Sequence, residues 1–250
     1  MNSSNPTLGK DLFDRFRGMG LASPADRMTV QGTLNKSILL VLVALVTAVL
    51  SWAAVDSDRG FGMALTLVGG VVAFGVAIFT TFQVEKAPIT APVYAAAEGL
   101  VLGGISALYS TFYGGIVGLA VPLTLAILFL MLGLYRAGVL RATPVFTRVV
   151  ILATAGIAVV YLISLVMSLF GFGGLTFLHS PTPLGIGISL LICGVAALNF
   201  VLDFDFIERG AEAGAPKYME WYGAFSLCVT LFWLYLEILR LLSLLNGSRR

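Results

Sequence analysis

Four acidic side chains stand where a lipid-soluble chain is least able to keep them. Asp203, Asp205 and Glu208 fall within the stretch Leu198–Arg209, and Glu237 interrupts the long apolar run that follows, three residues ahead of Arg240. A fifth acid, Glu98, sits between Ala97 and Gly99 in a separate apolar run. An ionisable group at membrane depth costs roughly 2.5–3.5 kcal/mol on insertion scales. Carboxylates kept there against that cost can bind and release a proton, contact a passing cation, or hydrogen-bond a facing helix. Glu212 and Glu220 belong to the polar connection between the last two apolar segments and to its edge.

Helical geometry separates these acids. A helix turns about 100° per residue, so Asp203 and Asp205 point to nearly opposite sides and cannot both face one partner. Asn199 shares the face of Asp203, while Glu208, followed at once by Arg209, reads as a headgroup-level residue. Glu237 and Arg240, at i and i+3, are near enough to pair within one helix. Thr230 precedes Glu237 by seven residues and lies on almost the same face; a threonine in a membrane helix commonly bonds its own backbone. For Glu98, a functional role and a structural hydrogen bond stand as equal alternatives, since a carboxylate at that depth needs either a proton or a partner on another helix.

The elements that must hold these residues follow from composition. The chain has 250 residues, 58% of them hydrophobic and 11% charged, and its mean hydropathy is +0.97. Charged residues make up about a quarter of an ordinary globular chain, so this is an integral membrane protein whose first partner is the lipid bilayer. A net charge of +2 and the lack of a basic stripe interleaved with aromatics argue against nucleic acid. Cys193 and Cys228 lie in apolar runs and read as small core residues, and the single histidine, His179, falls in an expected loop, which argues against zinc.

Taking about 20 apolar residues per span, the chain divides into seven: Ser37–Val55, Phe61–Gln83, Ala91–Ser110, Gly115–Tyr135, Val149–Gly171, Leu184–Ile207 and Met219–Leu245. The expected fold class is an all-α, multi-pass helix bundle. Its transmembrane domain covers residues 34–246, preceded by segment 1–33 and followed by a short tail, 247–250. The N-terminal segment places Leu8, Leu12, Phe13, Phe16 and Met19 at helical spacing opposite Lys10, Asp11, Asp14, Arg15 and Arg17; it is either a short interfacial helix or a disordered tail. Ser23-Pro24 reads as a helix start leading into the membrane. The polar N-terminus carries no signal-peptide pattern, so the first span is expected to direct insertion.

Lys10, Arg15, Arg17, Arg27, Lys36, Lys86, Arg136, Arg141, Arg148, Arg209 and Lys217 all fall on one side of a seven-span topology, against little beyond Arg59 on the other. The positive-inside rule then makes the N-terminus cytoplasmic. It leaves Arg249 and Arg250 outside, which a re-entrant last helix would reverse; seven full spans is the reading adopted. Gly99 and Gly103, like Gly114 and Gly118, have small-xxx-small spacing, read as tight packing within one bundle, and Pro122 predicts a kink.

Enzyme chemistry finds little support. Gly104-Ile-Ser106 is similar to the motif of rhomboid-type serine proteases, but the required base would be His179, in a loop, and a serine without an adjacent base is a poor nucleophile. The Gly-x-Gly-Asp signature of intramembrane aspartyl proteases is missing, since Gly185-Ile-Gly187 is followed by Ile188. The chain is read as a non-enzyme without a cofactor.

Several stretches together resemble the bacterial branch of the Bax inhibitor-1 (transmembrane Bax inhibitor motif) family. They are Met28-Thr-Val, Ala91-Pro-Val-Tyr-Ala-Ala-Ala-Glu-Gly99, Leu184-Gly-Ile-Gly, Leu202-Asp-Phe-Asp-Phe-Ile-Glu-Arg-Gly, Met219-Glu-Trp-Tyr and Leu234-Tyr-Leu-Glu-Ile-Leu-Arg. The resemblance implies a seven-helix bundle with the C-terminal helix central, a location in the bacterial plasma membrane, and a pH-sensitive calcium leak. It further implies an aromatic-Asp motif on the sixth helix that shares a proton with an aspartate on the seventh. Phe204-Asp205 matches that motif best, which makes Asp205 the expected ion-contacting or pH-sensing acid, with Asp203, Glu237 and Glu98 behind it. The second aspartate, expected about 25 residues further on, falls at Thr230. Thr230 can hydrogen-bond Asp205 but cannot share a titrating proton. A second reading keeps the acids for assembly, in a non-transporting protein that regulates other membrane proteins or their proteolysis.

Overall fold

A computed structural model describes residues 26–171, 175 and 180–248. Among them are seven long helices and a short 3-10 turn at Val84–Lys86, with no β-strand. The helices are α1 (Val30–Ser57), α2 (Arg59–Phe82), α3 (Ala87–Phe112), α4 (Ile116–Arg136), α5 (Pro144–Leu169), α6 (Pro183–Glu212) and α7 (Met219–Gly247). All seven are long and apolar enough to cross a membrane. Several overrun the apolar spans, α1 starting seven residues before Ser37 and α6 ending five after Ile207, because a helix keeps satisfying its own backbone beyond the depth where lipid demands it.

Local chemistry sets the ends. Thr29 caps α1 by accepting from the Gly32 amide at 2.9 Å, so the first described helix begins at Val30; the start read at Ser23-Pro24 lies outside the described residues, as do the candidate amphipathic segment before it, His179, Arg249 and Arg250. Asp58 alone separates α1 from α2, and its carboxylate caps α2 through the amides of Gly60 and Phe61 at 2.8 and 3.1 Å. Thr143 caps α5, with Pro144 in the first turn where its missing N–H costs nothing. The α3–α4 turn is as tight as the sequence requires, and Gly115 enters α4 with φ +78°, a conformation that side chains disfavour. α4 runs unbroken through Pro122.

The chain forms two compact units. Among the described residues, the first comprises 26–107 and 203–229, the second those of 108–202 and 230–248, with α3, α6 and α7 contributing to both.

In the first unit glycines let helices meet closely. A methyl group on Gly99 would overlap Thr47 and Ala44 of α1, and one on Gly103 would overlap the backbone of Ala48, while Gly104 lies against Thr66 of α2. The Gly99–Gly103 pair is thus the α1–α3 contact. The Gly114–Gly118 pair is not a packing face: neither position meets any atom within 4 Å, because Gly114 belongs to the turn before α4. α7 joins this unit through its rings, Tyr94 meeting Phe225 edge-on at 4.9 Å and Phe206 meeting Tyr222 at 5.8 Å. The backbone of Asp26–Met28 zips against the α6–α7 connection, with Met28 N donating to Ala215 O and Lys217 N to Asp26 O. Hydroxyls along α1 to α3 hide by back-bonding, as Thr33, Ser37, Thr66 and Thr90 do to the carbonyls four residues earlier.

In the second unit Asn199 of α6 donates to the Thr154 hydroxyl of α5 at 2.9 Å. α7 is the most enclosed helix, with 67% of its most apolar stretch buried, whereas α5 buries 6%.

Candidate functional site

The acids of α6 have three different surroundings. Asp203 is 7% exposed and accepts a 2.6 Å hydrogen bond from the Ser226 hydroxyl of α7. Asp205, two residues on and on nearly the opposite side of the helix, is half-buried and forms an ion pair with Arg209 Nε of its own helix at 2.9 Å. Glu208 is exposed. Within this stretch it is Asp203 that bonds to α7, two residues before the Asp205 favoured by the motif. Asp205 and Thr230 belong to different units; Thr230 is buried in the second.

Glu98 is half-buried on α3, one turn beyond Tyr94. Tyr94 lies within electrostatic reach of both Glu98 and Cys228, and Cys228 and Tyr222 lie within reach of Asp203. Of these two carboxylates, Asp203 of α6 is the one bonded to α7, through Ser226. In the same unit the rings of Tyr94, Tyr222 and Phe225 pack on one another.

Glu220 was passed over in the sequence as the edge of a loop, and it is the most completely buried acid of the first unit, with no exposed surface. It accepts from the Thr29 amide at 2.9 Å and the Thr29 hydroxyl at 2.8 Å, and it forms ion pairs with Lys36 of α1 and, at 3.0 Å, with Lys217. Lys36 also lies over the Trp221 ring. The only sequence signal was the helix start itself, Met219-Glu-Trp-Tyr, with Lys217 three residues before; Thr29 and Lys36 lie 191 and 184 residues away in the chain. Glu220 binds the approach to α1 to the approach to α7, a structural use of a buried charge that requires all of these partners.

In the second unit Glu237 and Arg240 pair along α7 at 2.6 Å between Oε2 and Nη2. Sequence spacing did not reveal the third member, Tyr161 of α5, whose hydroxyl donates to Glu237 Oε1 at 2.5 Å and accepts from Arg240 Nη1. Trp233 Nε1 donates to the same carboxylate oxygen at 3.1 Å.

Chemically, Asp203 and Glu98 can exchange protons or contact a cation, whereas Glu220 and Glu237 already have cationic partners. No group of three or more His, Cys, Asp or Glu close enough to hold a metal occurs among the described residues. Ser106 is buried in α3.

Comparison with curated proteins and with solved structures gave no match. The Bax inhibitor 1 like family model, by contrast, matches residues 5–247, which include all seven helices and each acid described above, and the chain belongs to that family.

Proposed function

We propose that this membrane protein is a proton-gated leak for cations, calcium among them, in a bacterial plasma membrane, with its N-terminus in the cytoplasm. The observation that carries the reading is the 2.6 Å bond between Ser226 and Asp203, a buried carboxylate held across a helix pair. What faces a buried acid decides whether it keeps its proton. Ionised, Asp203 accepts from Ser226 and offers hard oxygen to a passing cation such as calcium. Protonated, it presents a hydroxyl in place of a charge, and the contact between α6 and α7 changes character. Asp205 is held by Arg209 on its own helix, which shifts the gating role to Asp203, with Glu98 of α3 as a second acid in the same unit. The excess of Lys and Arg on one side supports the orientation. No residue is asked to make or break a covalent bond, so the protein acts without catalysis.

The test is calcium flux into proteoliposomes at acidic and alkaline pH. Wild type is expected to give a flux that changes with pH, Asp203→Asn one that does not, and Asp205→Asn one that still does. A pH-independent flux in Asp205→Asn alone would return the site to Asp205. Purified protein with no flux above empty vesicles at either pH would overturn the leak and favour a non-transporting partner of other membrane proteins.

A further inference from the structure

From Gly99 to Leu202 the sequence holds no Asp or Glu, and the one acidic side chain of the second unit among the described residues, Glu237, is paired with Arg240. Three further arginines of that unit, Arg136, Arg141 and Arg148, thus have no acid of their own unit to answer them. Arg136 ends α4, Arg141 belongs to the connection 137–143, and Arg148 follows about one turn into α5. All three are exposed, and among the described residues their guanidinium groups make no ion pair or hydrogen bond. Cations of the first unit are treated differently: Glu220 answers Lys36 and Lys217, and Asp205 answers Arg209.

The connection gathers these charges instead of spreading them. Val139 and Leu140 both donate to the carbonyl of Leu134, and Gly138 takes φ +70° to close the end of α4. Arg141 folds back over that turn, since a Cβ on Gly138 would lie 2.9 Å from its Nη2. Its guanidinium therefore lies against a residue only two places past Arg136. Like charges collected in this way draw a counter-charge from outside the chain.

The surroundings select the kind of counter-charge. A short connection between two membrane-spanning helices is at the level of the lipid headgroups, and Val139, Val145 and Val149 between and beside the arginines are exposed. A water-borne acidic partner leaves those valines wet, whereas a phospholipid covers them with its chains and brings a phosphate to the guanidinium groups. Arginine matches phosphate with paired N–H donors, and basic clusters beside membrane helices attract anionic lipid. We propose that Arg136, Arg141 and Arg148 form a binding site for the phosphate headgroup of an anionic phospholipid at the α4–α5 connection. The site lies in the second unit, apart from the Asp203–Ser226 contact of the first, and it exists whether or not the protein conducts cations.

The test is native mass spectrometry of the full chain titrated with phosphatidylglycerol or phosphatidylcholine, together with cross-linking by a phosphatidylglycerol that carries a photoreactive headgroup. Wild type is expected to retain phosphatidylglycerol several-fold more tightly than phosphatidylcholine, and the cross-links are expected in peptides spanning 134–149. The triple variant Arg136→Gln, Arg141→Gln, Arg148→Gln is expected to lose the preference, and Arg59→Gln with Lys86→Gln, which removes charge from other connections, to keep it. Equal retention of the two lipids by wild type, or cross-links confined to other segments, overturns the proposal without recourse to any variant. A preference that survives in the triple variant, or that the Arg59 and Lys86 changes abolish equally, overturns it as well. Inorganic phosphate that displaces the lipid at equal concentration would make this a site for the free anion and overturn the assignment to lipid.

Discussion

Ser226 of α7 donates to Asp203 of α6 across 2.6 Å, while Asp205, two residues away, is turned to Arg209 on its own helix. The two aspartates differ in burial as well as in partner, and their substitutions should separate. Ser226→Ala leaves a buried carboxylate short of one bond, at a cost of about 1–3 kcal/mol. Asp205→Asn breaks an i,i+4 pair whose arginine is largely exposed, worth about 0.3–0.5 kcal/mol. Thermal unfolding in detergent should rank Ser226→Ala clearly below Asp205→Asn, and equal midpoints would contradict the special standing of Asp203.

Glu220 gathers Thr29, Lys36 and Lys217 around a carboxylate with no exposed surface. Glu220→Gln leaves two ammonium groups without their counter-charge, and breaking a buried pair from one side costs about 3–5 kcal/mol. Lys217, half-exposed, can turn to solvent, whereas Lys36 is mostly buried. The expected order of destabilisation is Glu220→Gln, then Lys36→Gln, then Lys217→Gln. A Lys217 variant as damaging as the Glu220 variant would show that the charge balance, and not the burial of Glu220, is what matters.

The helices were legible because lipid imposes one rule, internal satisfaction of every backbone group, and apolar runs of sufficient length announce it. Their ends were less so: Val30 and Glu212 lie outside the apolar spans, and only the caps define them. The site was harder to read. Periodicity shows that Asp203 and Asp205 differ in direction, but the rotation of α6 about its axis, which decides which of them reaches Ser226, depends on packing such as Phe206 on Tyr222. Tyr161 is one tyrosine in an apolar helix, and its position 76 residues before Glu237 carries no local signal. Glu220 looked like a loop acid because its cationic partner Lys36 lies 184 residues earlier.

Gly99 and Gly156 offer a test of close packing. A Cβ at Gly99 would meet Thr47 and Ala44, whereas one at Gly156 in α5 would meet nothing within 4 Å. Gly99→Ala should therefore destabilise by about 1–3 kcal/mol through overpacking. Gly156→Ala should be neutral or stabilise by up to about 1 kcal/mol through helix propensity. The pair of unfolding midpoints checks the α1–α3 contact directly, and a tolerated Gly99→Ala would mean that these helices can move apart.

The hydroxyl of Tyr161 serves two charges at once, donating to Glu237 and accepting from Arg240. Tyr161→Phe keeps the ring under the guanidinium and removes only the oxygen, so its effect isolates that bridge. Hydrogen bonds to charged groups are worth about 1.5–3 kcal/mol each, and Trp233 remains as a donor to Glu237, which places the expected loss toward the lower end. Combining Tyr161→Phe with Glu237→Gln completes a cycle. If the three groups act as one network, the double variant loses less than the sum of the singles, with a coupling of about 0.5–3 kcal/mol. Additive losses in thermal or denaturant unfolding would mean that Tyr161 merely packs beside an ion pair that Glu237 and Arg240 sustain alone.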